Sequence, residues 1–268
     1  MKRLIAILSL LVTAMAVFIV VQARRVPPRP ADTEVATPET LAVAADAPGG
    51  TGAAAPAAAD LVSVRTSALP PPRRDFAEIQ RRLADGERGT YIREIFLQRS
   101  DNNARWPDRQ FEPLRVWVQP HSDLPDFQRD YPERVRQAFD RWTRAGVPVA
   151  FTFVVDSARS DIPVVWVDKF EMQISGRTRW TRDQHWWIIG ASIELALHHQ
   201  SGAPLDAEAI RAIALHEVGH LLGLDHTMDE KSIMAARVRV SELSQADEYT
   251  AQLIYSIPPG PVTPPNQR

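Results

Sequence analysis

The stretch HEVGHLLGLDH, residues 216–226, constrains this chain more than any other part of its sequence. It places three of the chain's seven histidines at offsets 0, 4 and 10. Residues four apart share one face of an α-helix, so His216 and His220 can direct their imidazoles at one point. His226 can reach that point only if the helix ends after His220 and the chain turns back. We predict that turn at Gly223, because glycine adopts the left-handed conformation without steric cost.

Three converging histidines are typical of a metal site. Neutral imidazole is a common zinc ligand, with bonds of about 2.0–2.1 Å, and a catalytic zinc keeps three protein ligands and one open position. We therefore predict one zinc ion on His216, His220 and His226, with Glu217 at the edge of the same helix face. The alternative is a helix whose histidines are solvated or packed in the core. Without a metal, three histidines on one buried face would leave several polar nitrogens in need of partners, which is energetically costly.

The whole pattern, H-E-x-x-H-x-x-G-x-x-H, is the zinc signature of the metzincin metalloproteases, and here the chain resembles that clan. Met234 follows eight residues after His226 and resembles the methionine of the clan's Met-turn, in matrixin spacing. Ordinary core packing is the other interpretation of Met234, and the two are compatible. Thr227, after the third histidine, resembles the matrixin serine. The resemblance implies a zinc-dependent endopeptidase that acts on protein or peptide substrates.

The order of secondary-structure patterns also resembles a matrixin catalytic domain. Periodicity predicts helices in residues 73–87, 130–146, 206–223 and 243–257, and strands in residues 114–120, 149–155, 162–168 and 186–197. Asp130 and Ser244 are the predicted caps of two of these helices, and Gly146 the predicted end of one. The resemblance implies an α+β fold: a twisted mixed β-sheet packed on two long helices, a zinc cleft, and a small C-terminal subdomain with the Met-turn and the terminal helix.

The sequence pattern of the N-terminal residues 1–25 predicts that the chain is exported. Two basic residues precede an apolar run over residues 4–21, which is 18 residues long. A spanning helix needs about 17–25 apolar residues and a cleavable signal about 7–15, so we favour a membrane anchor over a signal peptide. The rest of the chain is then expected outside the cytoplasm, membrane-anchored if this segment stays and secreted if it is removed.

Composition divides the remainder into three segments. Residues 26–72 are rich in Pro and Ala and almost free of aromatic residues, which predicts a disordered linker. Residues 73–257 have a globular composition and form the predicted matrixin-like metalloprotease domain. Within it, residues 73–105 are an N-terminal extension that could cover the cleft. Residues 258–268 are a Pro-rich tail.

Net charge and cysteine content exclude several classes. The formal net charge is −2 and we find no basic patch, so a nucleic-acid partner is not expected. The chain has no cysteine, which excludes disulfides and the cysteine-based latency of many animal matrixins. The oligomeric state is left open.

The chain departs from the matrixin pattern after Met234. Matrixins usually carry proline two residues after that methionine and an aromatic residue four after it, where this chain has Ala236 and Val238. The wall of the pocket for the substrate side chain beyond the scissile bond is therefore in question.

The other histidines form no clear second metal set. His198 and His199 are adjacent, so on a strand they point to opposite faces, and we predict that both lie at the surface. We make the same prediction for His121 and His185.

The resemblance also implies a mechanism. Glu217 acts as general base on a zinc-activated water and then passes the proton to the leaving amine. The substrate lies antiparallel along an edge strand, which we expect in IIGASIEL, residues 188–195. Two other classes stay open: a catalytically silent zinc-containing protein-binding module of the cell envelope, and an envelope structural protein with an incidental histidine cluster.

Overall fold

The structure of the protein is a computed structural model that describes Leu69 and residues 71–264. The predicted anchor or signal, residues 1–25, lies outside the described residues, and so does almost all of the predicted linker, residues 26–72. In the described part of the chain, no helix has both the length and the apolar character needed to cross a membrane.

The described chain contains both α-helices and β-strands. The α-helices are α1 (Phe76–Gly86), α2 (Ile92–Gln98), α3 (Tyr131–Thr143), α4 (Ala207–Leu221) and α5 (Gln245–Ser256). The strands are β1 (Asn102–Asn103), β2 (Arg109–Val118), β3 (Val149–Phe153), β4 (Ile162–Val167), β5 (Gly176–Arg182), β6 (Ile188–Ala196) and β7 (Gly260–Pro261). A single 3-10 turn, Ser157–Arg159, precedes β4.

Five strands form one mixed sheet in the order β3-β2-β4-β6-β5. β2 runs parallel to β3 and β4, β4 runs parallel to β6, and β5 runs antiparallel to β6. The prediction of an edge strand in residues 188–195 is therefore wrong, because β6 is paired on both sides and the edges are β3 and β5. β5 was not predicted from the sequence. Its segment, GRTRWTR, has three arginines and does not alternate apolar with polar residues. Most of its side chains are half-buried in the structure.

Two helices cover one face of this sheet and pack against each other. α3 lies on β2 and β3, while α4 lies on β5 and β6. The apolar stripe of α3 formed by Val135, Ala138, Phe139 and Trp142 is buried, and Trp142 Nε1 donates a hydrogen bond to Leu215 O of α4 at 2.8 Å. α4 is buried around most of its circumference. The predicted α+β arrangement of a mixed sheet on two helices is thus confirmed.

Two predicted helix caps have different outcomes. Ser244 caps α5 with a capping box, in which its hydroxyl and the Asp247 carboxylate bond each other's backbone N–H. Asp130 makes no side-chain cap to α3, so that prediction is wrong. Its own backbone is already helical, with φ −88° and ψ −11°, whereas a capping side chain requires an extended backbone. Gly146 adopts φ +78° in the turn after α3.

The predicted N-terminal extension and the start of the predicted tail pack together. β1 pairs antiparallel with β7, which lies within residues 258–268. The buried Asn103 amide donates to the carbonyl oxygens of Ile254, Ile257 and Pro258. α1 packs on α5. These contacts make residues 73–105 part of the same body as the terminal helix.

We predict that Ser244→Ala lowers the free energy of unfolding by about 1–2 kcal/mol. The change removes the side-chain acceptor for Asp247 N, which also donates to Ser244 O, and one donor to the fully buried Asp247 carboxylate. Urea denaturation measures the loss. Ser256→Ala, at the exposed end of the same helix, is the control and should have a much smaller effect; equal losses would contradict a special role for the cap.

Candidate metal centre

α4 carries the first two histidines of the motif. The helix begins after Asp206, whose side chain accepts a hydrogen bond from Ala209 N at 2.8 Å. It ends at Leu221, and Gly223 adopts φ +96° as the chain turns back. The helix and the glycine turn therefore lie where the spacing predicts them.

The turn brings the third histidine to the other two. The Nε2 atoms of His216 and His220 are 3.0 Å apart, and each lies 3.2 Å from Nε2 of His226. In a tetrahedral site with zinc–nitrogen bonds of about 2.0–2.1 Å, ligand nitrogens lie about 3.3–3.4 Å apart. The three donor atoms thus have nearly the spacing that one tetrahedral ion requires. Among the described residues, this is the one group of His, Cys, Asp or Glu side chains whose donors could hold a metal ion.

Backbone carbonyls fix the orientation of two of the rings. Nδ1 of His216 lies 2.7 Å from Ile233 O, and Nδ1 of His220 lies 2.9 Å from Leu224 O. A carbonyl oxygen can only accept, so each Nδ1 carries the proton and each Nε2 presents a lone pair. Metal-binding histidines are usually held in this way. The chemistry of the donor set fits a cation at the point where these lone pairs meet.

Burial keeps the histidines neutral. It lowers the pKa of His216 well below its usual value, and the neighbouring His220 and His226 lower it further. Burial, followed by the effect of His226, lowers the pKa of His220 to about 3. Burial also lowers the pKa of His226. Since a metal competes with protons for imidazole, these shifts favour the form that binds metal.

Glu217 directly follows His216 on α4 and has 4% of its surface exposed. Burial raises its pKa to about 7, although a hydrogen bond from Thr178 and the charge of Arg177 act in the opposite direction. Thr178 Oγ1 lies 2.7 Å from Glu217 Oε2 and 2.9 Å from Glu217 O. A buried carboxyl group that titrates near neutrality can serve as an acid or a base.

The edge strand β5 supplies site residues that sequence reasoning missed. Thr178 contacts the Glu217 carboxylate, and Gly176 faces it: a Cβ atom on Gly176 would lie 2.4 Å from Glu217 Oε1. Nothing in the sequence distinguishes this threonine or this glycine, because their contact with Glu217 arises from the packing of β5 against α4.

Met234 is fully buried beneath α4. A Cβ atom on Gly219 would lie 2.3 Å from Met234 Sδ, so the absence of a side chain at Gly219 lets the thioether approach the helix. The loop before it is held by the Asp247 carboxylate, which accepts from Ile233 N at 3.1 Å and from the Ser232 hydroxyl.

The prediction that His198 lies at the surface is wrong. Only 7% of it is exposed, and its two ring nitrogens lie 2.9 Å from Asp126 Oδ2 and 2.8 Å from Asp168 Oδ1. Hydrogen bonding to Asp126, with a further contribution from Asp168, raises the pKa of His198. Adjacency in sequence could not reveal two partners from distant loops. The other three histidines differ from it: His121 and His199 are exposed and His185 is half-buried.

Comparison with known proteins agrees with this geometry. The family model described as Matrixin matches residues 116–256, more than half of the chain. The chain belongs to the matrixin family. It is also similar to Metalloendoproteinase 1 from Glycine max, with 25% identity over 159 residues, which cover 52% of this chain and 50% of that protein. The chain thus spans about half the length of this relative.

We predict that Gly223→Ala weakens metal binding. A Cβ atom there would lie 2.3 Å from the backbone oxygen of Ala104 and would also oppose the positive φ, so the turn that carries His226 must move. Competition with a chromophoric chelator measures the affinity for zinc. Gly202→Ala is the matched control, since Gly202 has φ +86° with no atom within 4 Å of the added Cβ. It should cost stability through backbone strain and leave zinc affinity unchanged; equal zinc affinity in the two variants would contradict the prediction.

Proposed function

We propose that the protein is a zinc-dependent endopeptidase that hydrolyses peptide bonds of protein or peptide substrates. One observation carries the proposal: three neutral imidazole nitrogens converge on one point, and the residue that follows the first of these histidines, Glu217, has a buried carboxyl group whose pKa is about 7. Membership of the matrixin family and similarity to a protein named a metalloendoproteinase support it.

His216, His220 and His226 would hold one zinc ion. When bound, zinc lowers the pKa of a water molecule toward about 7 and polarises the carbonyl group under attack. Met234, packed under Gly219, is the proposed Met-turn methionine and supports the helix turn between the first two ligands.

Glu217 is the proposed general base. Its carboxylate takes a proton from the attacking water and delivers it to the amine nitrogen as the peptide bond breaks. Thr178 holds Oε2 by its hydroxyl hydrogen bond, which leaves Oε1 for proton transfer. Gly176 keeps the space next to Oε1 free of a side chain.

β5 is the proposed docking strand for the substrate. It has a partner on one side only, so an extended peptide can add to its free edge through main-chain hydrogen bonds. Its residues Gly176 and Thr178 already contact Glu217, which would bring a paired peptide close to the base. In the segment after Met234, Ala236 is exposed and Val238 is half-buried against the core. We propose that a pocket built here differs from the usual matrixin pocket.

Glu217→Gln should retain zinc and lose cleavage by at least about 100-fold, because the amide cannot accept the proton. Zinc per chain and cleavage of a quenched unfolded protein substrate are measured together. Glu208→Gln, exposed on the first turn of the same helix, is the control and should keep full activity.

The outcomes separate the three classes. A Glu217→Gln variant with full activity would contradict the proposed mechanism. One zinc per chain without cleavage by the wild type would favour the silent binding module. An absence of stoichiometric zinc would favour the incidental histidine cluster.

Thr178→Val should shift the acidic limb of the kcat/KM profile to higher pH. The Thr178 hydrogen bond lowers the pKa of Glu217, so its loss raises that pKa, and a higher pH is then needed to ionise the base. A hydrogen bond to a charged group contributes about 1.5–3 kcal/mol, which corresponds to a shift of about one pH unit or more. Thr152→Val, at an exposed position of β3, should leave the limb in place. An unchanged limb in Thr178→Val would exclude control of the base by this threonine.

A further inference from the structure

The third histidine is held differently from the other two. His216 and His220 lie on α4, and their Nδ1 atoms are fixed by backbone carbonyls. His226 lies in the loop after Gly223, and within the described part of the chain its Nδ1 makes no hydrogen bond to another protein group. The position of its ring therefore depends on the position of the loop backbone.

Helix α2 hydrogen-bonds this loop directly. Gln98 Nε2 donates to His226 O at 2.9 Å. The Glu94 carboxylate accepts from Met228 N at 2.8 Å and from Thr227 Oγ1 at 3.2 Å. Two side chains of one helix thus hold three consecutive residues, beginning with the ligand itself.

Arg99, directly after α2, holds the start of the loop. Its Nη1 donates to Gly223 O at 2.9 Å, and its Nε forms an ion pair with Asp225 Oδ2 at 2.5 Å. The two side chains are only 6% and 4% exposed. The guanidinium also lies 5.4 Å from the ring centroid of Trp180 in β5. A buried ion pair of this kind tolerates little displacement, because separating the charges leaves each of them buried without a partner.

We propose that Glu94, Gln98 and Arg99 form a clamp that positions the third zinc ligand. This rests on the proposed function only in taking zinc as the ion that His226 helps to hold. The region matched by the matrixin family model, residues 116–256, contains the three histidines and none of the clamp residues. The clamp therefore gives a role to residues 94–99, which lie outside the region that the family model matches.

Two sides of α2 lie outside the core, and one of them contacts the loop that carries His226. Ile92, Ile95 and Phe96 fill the core. Glu94 and Gln98, four residues apart, share the face that meets the loop. Arg93 and Leu97 lie on the other exposed side, where Leu97 is 82% exposed and Arg93 pairs with Glu87 at the surface. The helix thus provides its own matched control positions.

The test compares Glu94→Ala/Gln98→Ala with Arg93→Ala/Leu97→Ala, both in the full chain. Zinc affinity is measured by chelator competition, and the visible spectrum of the Co²⁺-substituted protein reports the coordination geometry. Thermal unfolding of the metal-free protein reports the effect on the fold. The clamp variant should lose about tenfold in zinc affinity and change its Co²⁺ spectrum, as expected when outer partners of ligands are removed. The control variant should keep both, with similar unfolding of the two metal-free proteins.

Glu94→Gln is the conservative variant, since its amide oxygen can still accept from Met228 N, and it should retain most of the affinity. The clamp is wrong if both double variants bind zinc with equal affinity and give the same Co²⁺ spectrum. It is also wrong if both double variants lose thermal stability to the same extent and zinc affinity falls with stability in both. A wild-type chain that binds no zinc would overturn the clamp and the proposed function together, whereas a chain that binds zinc tightly in both variants would overturn the clamp alone.

Discussion

Three uncharged imidazoles that face one another in a buried site form the arrangement on which the rest of this structure depends. Their Nε2 atoms lie 3.0–3.2 Å apart, and the lone pairs on these atoms repel one another unless a cation lies between them. The protein must therefore supply the energy that holds the rings in place. It does so mainly through backbone groups: carbonyls at Ile233 and Leu224 orient two rings. The loops that carry these carbonyls must then be fixed from elsewhere.

One buried carboxylate fixes the loop that carries the Ile233 carbonyl. Asp247, fully buried at the start of α5, accepts from Ser244 N, Ile233 N and the hydroxyl groups of Ser232 and Tyr91. It thereby joins the terminal helix, the loop before Met234 and the segment that leads into α2. Ile233 also supplies the carbonyl oxygen that accepts from His216 Nδ1. Two hydrogen bonds therefore connect Asp247 of the terminal helix to a histidine of the metal site.

The sequence predicted the parts of the site that lie close together along the chain. The spacing of His216, His220, Gly223 and His226 encodes one helix, one turn and one point of convergence, and all three are present. Ser244 is another local signal of this kind. The missed features are contacts across the fold. Thr178 meets Glu217 because β5 packs against α4, and the partners of His198, Asp126 and Asp168, come from separate loops. α2 is seven residues long, too short for periodicity to identify, yet it contacts three residues of the ligand loop.

The pairing of β1 with β7 joins the first and last strands of the described domain without a covalent link, since the chain has no cysteine. Each strand completes the hydrogen bonds of the other, and Asn103 adds three carbonyl contacts across the same junction. Neither end can detach without exposing the polar groups of the other. Digestion by an added protease should therefore be all-or-none at this junction, with no stable, progressively shortened domain. The same closure is independent of redox conditions, so the domain keeps its ends joined in reducing and oxidising surroundings alike.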